Sequence, residues 1–351
     1  MAAGSPAPAT TAYLPVRARW LARWREEILD PELPIVDAHH HLWDRPGWRY
    51  LLDALLKDLN SGHRIVATVF LQCRAMYRAN GPDEMRPVGE TEFVNGVAAM
   101  SAGGTYGPTQ ICAGIVGYAD LRRGARAREV MEAHLRAGGG RFRGIRHISA
   151  WDSDPALVNP ANAAPPGLLA SRAFRDGFAQ LAPLGLSFDA GVMHPQIPEM
   201  TDLARAFPTT AIVLNHVGTP IGIGRYAGRR DAVFAEWAAA MRDLATCPNV
   251  TVKVGGLGMR INGFPFHEGA APPDSAALAA AWRPYVDLCI EQFGTARCMF
   301  ESNFPVDKGS YTYAAYWNAC KLLTRGASAE DRARLFHRTA AQVYRLEIGL
   351  G

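Results

Sequence analysis

The sequence predicts an α/β fold, most simply a (β/α)8 TIM barrel with an N-terminal helical extension and long loops after its strands. Three observations carry this reading. Short β-branched runs alternate with helical periodicity along the whole chain, the pattern of a parallel sheet covered by helices. The chemically capable side chains fall just after strands, so closing the sheet into a barrel gathers them at one mouth. The length, 351 residues, suits one such barrel with insertions. Residues 1–33 read as an extension and 34–351 as the barrel.

The start, Met1 to Thr11, is rich in Ala, Pro, Ser and Thr and reads as disordered. Val16 to Trp24 alternates arginines with Trp and Leu, but Glu26, Glu27 and Asp30 follow at once. A short amphipathic helix packed outside the barrel fits better than a targeting peptide. Ile35 to Asp44 is the first strand, apolar at its start and ending in three consecutive histidines. Leucines at helical spacing predict a helix over Trp48 to Asn60, and Arg64 to Gln72 is the next strand. A helix over Gly89 to Met100, a strand over Ile111 to Tyr118 and a helix over Ala125 to Ala137 follow. Gly138, Gly139 and Gly140 end that helix.

Phe142 to Ile148 is the fourth strand. An Asp/Pro/Asn-rich stretch, Asp152 to Pro166, then reads as a functional loop. Ser171 to Leu184 and Glu199 to Phe207 are helices flanking a strand over Leu186 to Val192. Strands over Ala211 to His216 and Val250 to Val254 flank a helix over Asp231 to Ala245. Gly255 to Asp274 is a second long loop. A helix over Ala276 to Phe293, an eighth strand from Cys298, and helices over Tyr313 to Leu323 and Asp331 to Tyr344 complete the chain.

Composition narrows the function classes. The net charge of +4 is small for this length, and the arginines are scattered, which argues against a nucleic-acid partner. No apolar run approaches the roughly 18 residues that span a membrane. Six widely spaced cysteines without a Cys-x-x-Cys pattern read as reduced core residues, pointing to the cytoplasm. The expected partner is a small-molecule substrate, with a homodimer as the default assembly.

The candidate site grows from the histidine strand. Alternate side chains share a face, so His39 and His41 point one way and His40 the other. Two imidazoles at the end of an apolar strand can hold a metal or polarise a carbonyl. Arg143, Arg146, His194, His216, Glu301 and Asn303 also follow or end strands and would face the same mouth. Arg143 and Arg146 are three apart, so a regular strand sends them to opposite faces. An arginine at a mouth suits a carboxylate by bidentate pairing. Trp43, just past the histidines, can wall a small ring. Lys253, alone in an apolar strand, is left outside the predicted site.

Taken together, Val36-Asp37-Ala38-His39-His40-His41-Leu42-Trp43, Arg143-Gly144-Ile145-Arg146, Val213-Leu214-Asn215-His216-Val217-Gly218-Thr219-Pro220 and Ser302-Asn303-Phe304-Pro305 resemble the amidohydrolase superfamily. More narrowly they are similar to its "amidohydrolase 2" branch, which contains sugar-acid and pyrone-dicarboxylate lactonases. The resemblance runs from about Trp20 to Leu346. It implies that the first-strand histidine pair falls on His39 and His41, the sixth-strand histidine on His216 and the fifth-strand one on His194. Where the superfamily ends its eighth strand in a water-activating aspartate, this chain has Asn303. An amide neither takes a proton nor supplies charge to a cation. Glu301, Asp307 or a neutral His216 could replace it as base. One divalent ion, zinc, held by His39, His41, His194 and His216, and metal-free chemistry both stay open, since the branch includes members of each kind.

The resemblance therefore implies a hydrolase of a small, anionic cyclic ester, a lactone. His39 and His41 would polarise the carbonyl, His216 or a carboxylate would activate water, Asn303 would orient it, and Arg143 or Arg146 would hold a substrate carboxylate. Decarboxylation or carbon–carbon bond hydrolysis is the second reading. A barrel that binds a ligand without turnover, because Asn303 replaces the aspartate, is the third.

Overall fold

The structure is a computed structural model and describes residues 13–349. Eight parallel strands pair in chain order: β1 (Ile35–His40), β2 (Ile65–Leu71), β3 (Gln110–Gly117), β4 (Phe142–Ile148), β5 (Ser187–Gly191), β6 (Ile212–Leu214), β7 (Val250–Gly255) and β8 (Cys298–Glu301). Just past β8, the chain meets the end of β1. His41 N donates to Phe304 O at 2.8 Å and Asn303 N donates to His39 O at 2.9 Å, which closes the barrel. Helices cover the outside, and the largest apolar cluster lies between them and the strands.

A smaller cluster fills the barrel interior: Val36, Ala38, Ala67, Val69, Leu71, Val116, Val213 and Met299. Tyr344 and Leu346 of the C-terminal segment join it. The first described segment packs on the outside of the barrel. Its helix Ala18–Leu21 buries Trp20 and Leu21, and Trp20 Nε1 donates to Gly269 O at 2.8 Å in the second long loop. The expected disorder of Met1 to Thr11 concerns residues outside those described.

Three helices depart from the expected ranges. Trp48–Tyr50 is not helical but pairs antiparallel with Trp43–Arg45, and the helix begins at Leu52. Gly47, at φ 74°, makes that tight turn possible, and the Trp43 and Trp48 rings pack edge-to-face at 4.7 Å. Arg172–Phe178 is shorter than the expected Ser171 to Leu184. Pro183, which lacks an N–H, sits in a separate turn, Ala182–Leu184. The last helical stretch starts at Ala329 and widens over Arg334–Arg338 before Thr339–Tyr344. Among the described residues no helix is long and apolar enough to cross a membrane.

Candidate active site

The mouth at the C-terminal ends of the strands opens into a cavity of ≈ 660 Å³. His41, Gln72, Arg146, Asn215, His216 and Asn303 form its floor. The two long loops, through Leu157 to Asn162 and through Met259 and Ile261, form much of its wall.

The first strand does not alternate strictly. Val36 and Ala38 face the interior, and a register irregularity between Asp37 and His40 then turns His39 inward as well. His40 points out to the helix layer, with Thr68 Oγ1 at 2.9 Å from its Nε2. The Nε2 atoms of His39 and His41 come within 3.3 Å. His41 Nδ1 lies 2.8 Å from Leu71 O; with the proton there, its Nε2 is a lone pair facing the mouth. Burial holds both imidazoles well below the ordinary histidine range, with nearby Lys253 and Arg146 charge adding to the effect on His39 and Arg146 charge on His41. Both are therefore neutral near pH 7.

Glu301, fully buried at the end of β8, ties two histidines together. Its Oε1 accepts from His216 N at 3.0 Å and lies 2.7 Å from His216 Nδ1. Its Oε2 lies 2.7 Å from His39 Nδ1 yet has no partner in hydrogen-bond geometry among the described residues. With the His216 proton on Nδ1, toward the carboxylate, His216 Nε2 is unprotonated, as in a carboxylate–histidine dyad. The His39 and His216 rings are 4.6 Å apart. Gly256 permits this arrangement, since a Cβ there would sit 2.3 Å from His216 Nδ1.

Arg146, buried, reaches the floor from β4. Its Nη1 lies 3.1 Å from His39 Nε2, its Nη2 donates to Gln72 O, and its Nε has no partner among the described residues. Below this layer Lys253 Nζ donates to Asp189 Oδ1 at 2.8 Å, 3.4 Å from His39 Nδ1. Asn215 Nδ2 and Tyr344 Oη donate to the same Asp189 oxygen. Burial lowers the Lys253 pKa against the opposing pull of Asp189. Asn303 Nδ2 donates to Asp307 Oδ1 at 2.9 Å, while Gly258 N and Tyr311 Oη donate to Asp307 Oδ2.

The structure thus brings together His39, His41, His216, Glu301, Arg146 and Asn303, with Trp43 stacked on His41 at 5.7 Å. It does not bring in Arg143 or His194. Arg143 is the second residue of β4, at the end away from the mouth, and its guanidinium caps Gly140 O and Phe142 O. His194 begins the turn His194–Gln196, where Pro195 redirects the chain. Its Nδ1 accepts from Ile221 N at 3.3 Å and its ring packs on Tyr226. Asp307 sits beneath Asn303 rather than on the cavity surface. The site also contains Gln72, Asn215, Asp189 and Lys253, which sequence reasoning did not assign. The available signal was a charged residue inside an apolar strand, twice: Asp189 in β5 and Lys253 in β7.

A divalent cation would find a suitable donor set in His39, His216 and Glu301, whose candidate ligand atoms lie within 4.8 Å of one another. The partnerless Glu301 Oε2 fits the same role. This set shares His39 and His216 with the four histidines expected and has Glu301 where His41 and His194 were expected.

Comparison with known proteins identifies the family. The family model described as amidohydrolase matches residues 36–346. An uncharacterized Sinorhizobium fredii protein, y4mH, is 33% identical over 330 residues, covering 90% of this chain and 99% of that one. An L-fucono-1,5-lactonase of Burkholderia multivorans is 28% identical over 331 residues, covering 89% of this chain and 96% of its own. Among solved structures, an amidohydrolase from Burkholderia multivorans with bound zinc superposes with a TM-score of 0.68 at 26% identity, covering 89% of this chain and 99% of that one. The chain belongs to the amidohydrolase family. It is a hydrolase with lactonase-like relatives.

Proposed function

We propose that the protein hydrolyses a small anionic lactone. The observation that carries the reading is the charge of the cavity lining: among the described lining residues, Arg45, Arg74 and Arg146 are cationic and none is Asp or Glu. Electrostatic attraction and bidentate pairing favour an anionic substrate there. The relatives named as L-fucono-1,5-lactonases support the choice of a cyclic ester.

His216 is the general base. Its Nε2 takes a proton from water, and the buried Glu301 holds the ring and stabilises the resulting imidazolium. The water oxygen bonds to the acyl carbon, the ring C–O bond then breaks, and the leaving alkoxide receives the proton, giving a hydroxy acid. Arg146, which lines the cavity floor, stabilises the developing oxyanion. His39 and His41, being neutral with their lone pairs engaged or exposed, do not donate to that oxygen; their part is to fix Arg146 and shape the floor. Asn303, held by Asp307, orients the water. A divalent cation, when bound, would be held by His39, His216 and Glu301 and would supply Lewis-acid polarisation.

Proton release from a panel of carboxylated and neutral lactones tests the proposal. Ring opening with a preference for the carboxylated members is expected; turnover of neither class would contradict it. The same reading places the protein in the cytoplasm, supported by six buried, unpaired cysteines. It also makes a small molecule its partner, with a homodimer as its assembly.

A further inference from the structure

The cavity has two levels of opposite character. The floor is polar, lined by His41, Gln72, Arg146, Asn215, His216 and Asn303. The wall above is mostly aliphatic, formed by Leu157 and Val158 of the first long loop, Met259 and Ile261 of the second, and Ile223 and Met193 between them, with Arg45, Arg74 and Asn159 among its polar members. This wall is continuous with an apolar cluster separate from the barrel core, built on Leu157, Met193, Ile221, Tyr226 and Val233. It is therefore a supported surface, not a scatter of exposed side chains.

A sugar lactone carries hydroxyls around its ring. Pressed against this wall they would lose water without gaining partners, which is unfavourable for each one. Size points the same way. The cavity of ≈ 660 Å³ has room for about 20 waters at ~30 Å³ each, well above the need of a bare six-membered lactone.

We propose that the substrate is amphipathic: a lactone whose ring carbonyl lies on the polar floor and whose apolar substituent, several carbons long, lies along Leu157, Ile223 and Ile261. This rests on the lactonase reading above and adds the substituent. It separates this chain from a hydrolase of polyhydroxylated lactones.

The test is calorimetric binding of ring-opened products to the wild-type protein. The series is 5-hydroxyalkanoates of increasing chain length, with a polyhydroxylated six-carbon aldonate alongside, and hydrolysis of carboxylated lactones bearing the same alkyl chains is followed in parallel. Affinity should rise up to about fourfold per buried methylene until the wall is covered, with the aldonate weakest. Leu157→Asn and Ile261→Asn should each flatten that slope. An affinity independent of chain length, or tightest binding of the aldonate, overturns the proposal. A clear slope without hydrolysis of any lactone would uphold the wall and sink the lactonase reading. Hydrolysis with a flat slope would do the reverse.

Discussion

The floor and the wall of the cavity are built on different principles. The floor belongs to strand ends that hold one another: Glu301 on β8 grips His216 after β6, Arg146 on β4 reaches His39 on β1, and Lys253 on β7 pairs with Asp189 on β5. Each side chain there is fixed by hydrogen bonds crossing the barrel. The wall hangs on two long loops and turns mostly apolar side chains to the cavity. The comparison teaches that the chemistry is set by strand register, while substrate choice is set by loops that can vary without disturbing it.

Predictions that break the floor should have the largest effects. His216→Asn should lower kcat by about 10²–10⁴, the range for losing a general base, with KM little changed. Steady-state kinetics checks this, and an unchanged kcat would remove His216 from the mechanism. Arg146→Met should cost about 10²–10³ in kcat, as loss of an oxyanion donor does. If Arg146 also pairs with substrate, the variant should lose more against a carboxylated lactone than a neutral one.

Lys253→Met addresses the layer below. It leaves Asp189 buried without its cation and should destabilise the fold by about 3–5 kcal/mol in denaturant unfolding. The double variant Lys253→Met/Asp189→Leu should recover much of that loss, and failure to do so would mean that the pair is not the coupled unit inferred here.

The smallest effect concerns pH. Burial pushes Asp307 from the ordinary 3.8 up to about 7, against the pull of its hydrogen bonds. Between about pH 4 and 7 the unfolded chain has released this proton and the folded one has kept it, so the contribution of Asp307 to stability falls as pH rises through that window. Asp307→Asn should flatten that part of the stability–pH curve.

Much of this was legible in the sequence, for reasons that differ by residue. The barrel and the shared face of His39 and His41 follow from periodicity, and Asn303 stands out against the motif it interrupts. Arg143 and His194 misled because a motif gives no direction. One sits at the start of its strand, away from the mouth, and the other is turned aside at Pro195. The register irregularity that turns His39 inward beside Ala38 leaves no periodic trace, because both neighbouring registers keep apolar residues buried. From sequence alone Glu301 could replace the missing base but gives no sign of which groups it meets. Only the closed barrel shows its two oxygens against two histidines.

The most direct test of the account is lactone turnover in ¹⁸O-labelled water, with the position of the label read by mass spectrometry. Attack of water on the acyl carbon predicts one ¹⁸O in the new carboxylate and none in the hydroxyl. Label in the hydroxyl, or carbon dioxide released in place of a hydroxy acid, would contradict it.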